Sequence, residues 1–240
     1  MSYQDTFKRY EIKYLLSASQ KRELMKTIEK HMVLDQYGRT TIQNIYYDTP
    51  DWQLIRTSLE KPVYKEKLRL RSYGTANAAK TVFIEIKKKF DGVVYKRRTS
   101  ATEKEAIAYL NRGIKLAGHE DQISREIDYF RNFYKGLKPA MFISYEREAF
   151  YGKADPEFRL TLDENILWRE EDLTLRKEAY GTAVLFPGEC LMEVKVAAAM
   201  PTWLTKELTR LGIFPTSFSK YGRAYEMKLS DEQTRKERRA

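Results

Sequence analysis

The chain has 240 residues, 42% hydrophobic and 32% charged, a globular balance that suits one large domain or two small ones and excludes a disordered or collagen-like chain. No apolar run reaches the roughly 18–20 residues of a membrane-spanning helix, Met1–Asp5 does not open a signal peptide, and the single cysteine, Cys190, excludes an internal disulfide framework and fits a reducing cytoplasm. The net charge of +10 calls for an anionic partner.

Strand signals dominate, as alternation of apolar and polar residues with period two. Phe7–Leu16 carries Arg9, Glu11 and Lys13 on one face and Tyr10, Ile12 and Tyr14 on the other. Ser17–Met32 reads as a helix, opened by the capping-box pattern Ser17-Ala18-Ser19-Gln20 and striped by Leu24, Ile28 and Met32. Thr41–Asp48 is a strand rich in β-branched and aromatic residues. A short helix with Trp52, Ile55 and Leu59 follows Thr49-Pro50. Lys65–Tyr73 sets Lys65, Lys67, Arg69 and Arg71 against Leu68 and Leu70. Thr81–Lys89 sets Glu85, Lys87 and Lys89 against Val82, Ile84 and Ile86. Asp91-Gly92 turns that strand into Val93–Thr99 as a hairpin. Thr102–Asn111 is a helix between the N-cap Thr102 and the stop at Gly113, and His119–Tyr134 is another, with Ile123, Ile127 and Phe130. Met141–Phe150, Phe158–Asp163 and Cys190–Ala197 are strands, the last with Glu193 and Lys195 on one face. Pro201–Leu211 is a helix that stops at Gly212. Residues 1–229 read as a single domain and 230–240 as a frayed polar tail.

The charge is concentrated. Twelve basic and three acidic residues lie between Lys61 and Arg98, and this segment holds most of the excess. An ordinary sheet turns its apolar face to the core and its charged face to water, and any one strand here fits that pattern. The set fits it less well, because the polar faces are loaded with Lys and Arg and hold few carboxylates. Like charges on neighbouring strands repel, and converging on a bound polyanion relieves that repulsion. The expected fold is α+β: a closed eight-stranded antiparallel barrel, its lumen lined by charge, with helices packed on the outside. Arg binds phosphate with its planar fork and Lys with a compact charge. Glu11, Glu85 and Glu193 share these polar faces. They serve either as internal salt-bridge partners or as ligands of Mg²⁺ or Mn²⁺, which take carboxylate together with phosphate oxygens.

A series of short motifs follows this pattern. Arg9-Tyr10-Glu11-Ile12-Lys13-Tyr14, Lys67-Leu68-Arg69-Leu70-Arg71, Glu85-Ile86-Lys87 and Lys96-Arg97-Arg98 come first. Tyr145-Glu146-Arg147, Arg159-Leu160-Thr161-Leu162-Asp163, Met192-Glu193-Val194-Lys195 and Phe218-Ser219-Lys220-Tyr221-Gly222 follow. Over roughly residues 7–226 the series resembles the VTC-type polyphosphate polymerase domain of the triphosphate tunnel metalloenzyme, or CYTH-like, superfamily. The resemblance implies a tunnel that binds ATP or another nucleoside triphosphate. It implies transfer of the terminal phosphoryl group to growing inorganic polyphosphate, with a divalent metal. By motif, Arg69, Arg71, Arg147, Lys195 and Lys220 are the expected catalytic cations. Lys13, Lys67, Lys87, Lys96, Arg98, Arg159 and Ser219 are the expected phosphate ligands, and Glu193, Glu11 and Glu85 the expected metal ligands. Hydrolytic members open with E-x-E-x-K; here Arg9 stands at the first position, which favours the polymerase branch. No nucleic-acid partner is expected, and export of product would take a separate membrane partner.

Other motifs are missing. His31 and His119 stand alone without metal-ligand spacing. Cys190 reads as a small buried hydrophobe, and the helical aromatics Trp52, Phe130, Phe133 and Trp203 as core. There is no G-x-x-x-x-G-K-[ST] loop, no G-x-G-x-x-G and no Gly-x-Ser-x-Gly. Two further functions fit the same residues: a hydrolase of tripolyphosphate or nucleoside triphosphate, and a polyanion-binding module without catalysis.

Overall fold

In the computed structural model, residues 10–91, 93–116, 118, 121–197 and 199–238 are described. Arg9, Gly92 and His119, named above, lie outside them. The elements in chain order are β1 (Tyr10–Leu16), α1 (Ala18–His31), β2 (Met32–Leu34), β3 (Thr40–Asp48), α2 (Gln53–Leu59), β4 (Tyr64–Tyr73), β5 (Thr81–Phe90) and β6 (Val93–Thr102). They continue with α3 (Glu103–Arg112), α4 (Gln122–Phe133), β7 (Lys138–Gly152), β8 (Arg159–Arg169), β9 (Thr182–Ala183), β10 (Cys190–Val196), α5 (Thr202–Arg210) and α6 (Lys220–Glu237). The fold is α+β, with six helices and a large antiparallel sheet of ten strands among the described residues.

The hydrogen-bonded order is β1-β10-β8-β7-β3-β4-β5-β6, with β2 attached to β7 and β9 to β8. The expected eight strands are those of the path, but among the described residues the path is not closed. The closed barrel is corrected to an open path for a reason visible in β6. Tyr95, Lys96, Arg97 and Arg98 on that last strand are all exposed, and charged, exposed edges resist further pairing. The two added strands are only three and two residues long, too short to show alternation in sequence.

The chain divides into two compact units. The first gathers the described residues up to Thr41 with Tyr145–Ile166 and Leu185–Phe218. Its core joins Leu24 and Ile28 of α1 to Leu160 and Leu162 of β8, Met192 and Val194 of β10 and Leu204 of α5. The second gathers Ile42–Ser144, Leu167–Val184 and the described residues from Ser219 onward. Its core joins Ile45, Leu68, Leu70, Ile84 and Ile86 of the strands to Tyr109 of α3 and Phe130 of α4. Each core takes one face of its strands and leaves the other to polar residues.

Local signals placed most helix ends. The Ser17–Gln20 and Thr102–Glu105 capping boxes both form, and Gly113 ends α3 in the left-handed region at φ 75°. Phe90 pairs with Val93, so β5 and β6 form the expected hairpin. Helix α6 was not foreseen, and it continues to Glu237 through the stretch read as a polar tail. Among the helical aromatics, Phe130 is core, but Phe133 is 60% exposed. His31 stacks on Trp203 at 4.6 Å between ring centroids, and Cys190 is fully buried, its thiol pushed up to about 12 by that burial.

Candidate functional site

In the second unit, strand register lays the polar face out in rows, because directly paired residues of antiparallel strands share a face. One row runs Asn44, Arg71, Phe83, Ser100, and the next Tyr46, Arg69, Glu85, Arg98. A third places Lys67, Lys87 and Lys96 side by side on β4, β5 and β6. Six cations of these rows surround one carboxylate, that of Glu85.

Glu85 is 1% exposed and holds the arrangement together. Arg69 donates to its Oε2 from Nε at 2.8 Å, Lys96 Nζ lies 2.6 Å from its Oε1, and Arg71 Nε is 3.6 Å away. Burial works against the charge of Glu85, but Arg69, Arg71 and Lys96 outweigh it and hold its pKa at about 2. Lys96 moves the other way. Desolvation of its ammonium group against the strand face lowers it to about 8, opposed by Glu85 and assisted by the repulsion of Arg71 and Arg69, while the rest of the side chain stays open to solvent, 41% exposed overall. The arginines are also aimed from behind. Arg69 donates to the Tyr46 hydroxyl at 3.1 Å, and Arg71 Nε donates to Asn44 Oδ1 at 2.9 Å. Asn44 is itself fixed, donating to the Ile143 carbonyl at 3.0 Å. Cations lie against both oxygens of Glu85, the arrangement that the salt-bridge alternative expects.

The start of α6 is tied to the same face. Ser219 is the N-cap, accepting from Gly222 N at 3.1 Å, and Lys67 Nζ donates to its Oγ at 3.0 Å. Lys220 opens the helix, half-buried. The next residue, Tyr221, stacks on Tyr46 at 4.5 Å and donates to Asp48 Oδ2 at 2.8 Å. Asp48 also accepts the backbone N–H of Leu54 at 2.8 Å and of Ile55 at 3.0 Å, so it binds the first turn of α2. A helix N-terminus of this kind favours anions. Sequence reading missed Asp48, Tyr46 and Tyr221. The spacing of Tyr221, Ala224, Tyr225 and Lys228, all buried, is the helical signal that could have found α6.

In the first unit the polar face is built differently. Glu11 pairs with Lys195 and Lys195 with Arg159; Lys13 pairs with Glu193 and Glu193 with Thr161. Opposite charges therefore meet between β1 and β10, while Lys195 and Arg159 are like charges paired between β10 and β8. Lys195 Nζ lies 3.1 Å from Glu193 Oε1, Lys13 Nζ donates to the Phe218 carbonyl at 2.8 Å, and Arg159 is exposed. Arg147 forks onto Asp163, from Nε to Oδ1 at 2.6 Å and from Nη2 to Oδ2 at 2.7 Å. Glu193 is 7% exposed. Burial disfavours its charge, but Lys195, Lys13, a hydrogen bond with Glu11 and Arg147 together hold its pKa well below the ordinary carboxylate range.

The residues of this face fit a divalent cation. Glu11 and Glu193 lie within hydrogen-bond reach of each other, a closeness that two carboxylates bear when a proton or a cation lies between them. Their oxygens, with the unpartnered hydroxyl of Thr161, are hard donors suited to Mg²⁺ or Mn²⁺. Among the described residues no group of three or more His, Cys, Asp or Glu stands ready to hold a metal. The two carboxylates therefore suit a cation whose shell is completed by water and phosphate oxygens.

The profile of the VTC domain family matches residues 8–228. Subunit 4 of the vacuolar transporter chaperone complex of Schizosaccharomyces pombe is 27% identical over 198 residues, covering 70% of this chain. The chain spans only about a quarter of that relative, 27% of its length. Among solved structures, a candidate adenylate cyclase from Bacillus halodurans superposes with a TM-score of 0.57 at 15% identity, over 88% of this chain and 95% of that one. A candidate adenylyl cyclase from Hippeastrum with a dominant triphosphatase activity gives 0.52 at 17% identity, over 89% and 94%. At these identities the likeness is one of fold.

Proposed function

The chain belongs to the VTC domain family, and from that premise we propose that it is a metal-dependent polyphosphate polymerase, transferring the terminal phosphoryl group of ATP to a growing polyphosphate chain held by basic strand faces. The observation that carries the reading is the second unit's face, where six cations crowd one carboxylate in register. Such crowding costs stability in the free protein and is relieved by a linear polyanion.

Phosphoryl transfer needs positioning and charge stabilisation more than covalent help. Arg69 and Arg71, held by Glu85, Tyr46 and Asn44, present guanidinium edges to phosphate oxygens. Lys67, Lys87, Lys96 and Arg98 extend that contact along neighbouring strands. Ser219 and Lys220 receive phosphate at the helix N-terminus. In the first unit, Arg147, oriented by Asp163, together with Lys13, Lys195 and Arg159, neutralises charge as the phosphoryl group moves. Glu193 and Glu11 would hold a Mg²⁺ or Mn²⁺ ion, which would supply positive charge to offset that of the phosphate oxygens.

Hydrolysis of tripolyphosphate is the second reading, because Glu11 and Glu193 beside the cations suit a water acceptor as well as a phosphate end. The two reactions differ in whether a phosphate end or a water takes the phosphoryl group. No described helix is long and apolar enough to cross a membrane. Phosphorus NMR of the purified chain with ATP and Mg²⁺ tests the proposal. Growth of internal polyphosphate resonances supports it. Orthophosphate and ADP without polyphosphate select the hydrolase, and unchanged ATP selects a binding module.

A further inference from the structure

One buried hydroxyl on the first unit's polar face has no partner in the protein. Thr161 is 7% exposed, and its Oγ1 makes no hydrogen bond. Buried hydroxyls are ordinarily satisfied by protein, by ordered water or by an ion, because an unmet one is destabilising. Leu160 and Leu162, on either side of it in β8, pack in the core, so strand alternation sends Thr161 to the opposite, charged face. There β10 sets Glu193 directly across from it. Residues so opposed bring their Cβ atoms within roughly 4.5–5.5 Å. Glu193 in turn lies across from Lys13, and its carboxyl group is within hydrogen-bond reach of Glu11. Two carboxylates and a hydroxyl thus share one patch, and only the hydroxyl is unused.

We infer that Thr161 is a positioning residue for a divalent cation: its hydroxyl hydrogen-bonds a water in the shell of a Mg²⁺ or Mn²⁺ ion held by Glu193 and Glu11. The inference rests on the metal reading proposed above and adds a residue to it. Small hard cations keep several of their waters. A coordinated water is a strong donor, and a threonine oxygen fixed by strand packing is a ready acceptor for it. Side chains that orient a metal's ligands from outside typically contribute about 10- to 100-fold to affinity.

Mn²⁺ binding to the full chain, read from loss of the free-ion EPR signal with no phosphate present, tests this. The variants are Thr161→Val, which keeps the shape and removes the hydroxyl, Thr161→Ser, which keeps the hydroxyl, and Glu193→Gln. Thermal melts check that each is folded, and Thr161→Ala serves in place of Thr161→Val if that variant does not fold. Thr161→Val should weaken Mn²⁺ binding about tenfold, Thr161→Ser should stay within about threefold of the parent, and Glu193→Gln should lose the ion. The melt of Thr161→Val should match or exceed the parent's, since an unpaired buried polar atom is gone. If Glu193→Gln binds Mn²⁺ as the parent does, or the parent binds none, the underlying metal reading falls and this inference with it. If Glu193→Gln loses the ion but Thr161→Val binds like the parent, or Thr161→Ser is as weak as Thr161→Val, the role of Thr161 alone is overturned.

Discussion

The two units handle charge in opposite ways. In the first, each cation on β1 and β10 faces a carboxylate across the strands, and Arg147 is matched by Asp163. In the second, Arg69, Arg71 and Lys96 share Glu85, and Lys67, Lys87 and Lys96 stand directly beside one another. A balanced face is stable by itself and retains carboxylates for a metal. An unbalanced face stores repulsion that an incoming polyanion releases. Under the proposed function the contrast separates two tasks, holding a cation and holding a phosphate chain, and it makes each separately breakable.

The largest expected effect is on the unbalanced face. Replacing Arg69 and Arg71 together by Ala removes two charge-assisted contacts of about 1.5–3 kcal/mol each, so tripolyphosphate affinity should fall more than about 100-fold. Calorimetric titration reads this, and unchanged affinity in a folded variant would show that the rows do not bind the ligand. Next is the balanced face. Glu193→Gln should lower turnover at least about 100-fold, roughly 2.7 kcal/mol, and leave metal-free tripolyphosphate binding intact. If Glu193 only pairs with Lys195, turnover per folded molecule will stay near the parent's at every metal concentration.

Glu85→Gln sharpens the comparison through stability. The buried carboxylate binds three cations, and their partial exposure moderates the loss to about 2 kcal/mol in urea unfolding without ligand. Because Glu85 titrates at about 2, its contribution is full above the ordinary carboxylate range and fades as pH falls toward about 2. The variant should therefore lack part of the parent's acid sensitivity, and tripolyphosphate should raise its melting temperature more than the parent's. A variant as stable as the parent, with the same acid profile, would remove Glu85 from the centre of the face.

The smallest effect is on pH dependence of binding. Lys96 titrates near 8 in the free protein, and a bound polyanion favours its charged form. Affinity should hold from pH 7 to 8 and then fall, by up to about tenfold per pH unit, with Lys96→Arg flattening the decline. A parent profile flat to pH 9 would contradict the lowered pKa of Lys96.

Much of this was legible in sequence because strand alternation assigns faces without any knowledge of pairing. Arg69, Arg71 and Lys87 were placed on polar faces opposite Leu70 and Ile86, and the cores bear that out. The capping boxes fixed α1 and α3 because their signal is local. What escaped is what depends on distant pairing. Glu85 and Glu193 look alike on their strands, and only register reveals that one is ringed by arginines and the other faces Lys13 and Thr161. Asp48 reads as a strand end before Thr49-Pro50. Its bonds to Leu54, Ile55 and the far Tyr221 need the fold to bring them together. Helix α6 hid in a polar composition, its buried stripe of Tyr221, Ala224, Tyr225 and Lys228 being only partly apolar.

Dependence of binding on chain length tests the central claim, that the cation rows are built for linear polyphosphate. Pyrophosphate, tripolyphosphate and longer chains would be titrated into the parent and the Arg69→Ala, Arg71→Ala double variant at fixed salt, with duplex DNA as competitor. The account predicts affinity that climbs with each added phosphate in the parent, climbs less in the double variant, and resists DNA. Equal affinity for pyrophosphate and long chains, with displacement by DNA, would contradict it and reduce the face to a general basic patch.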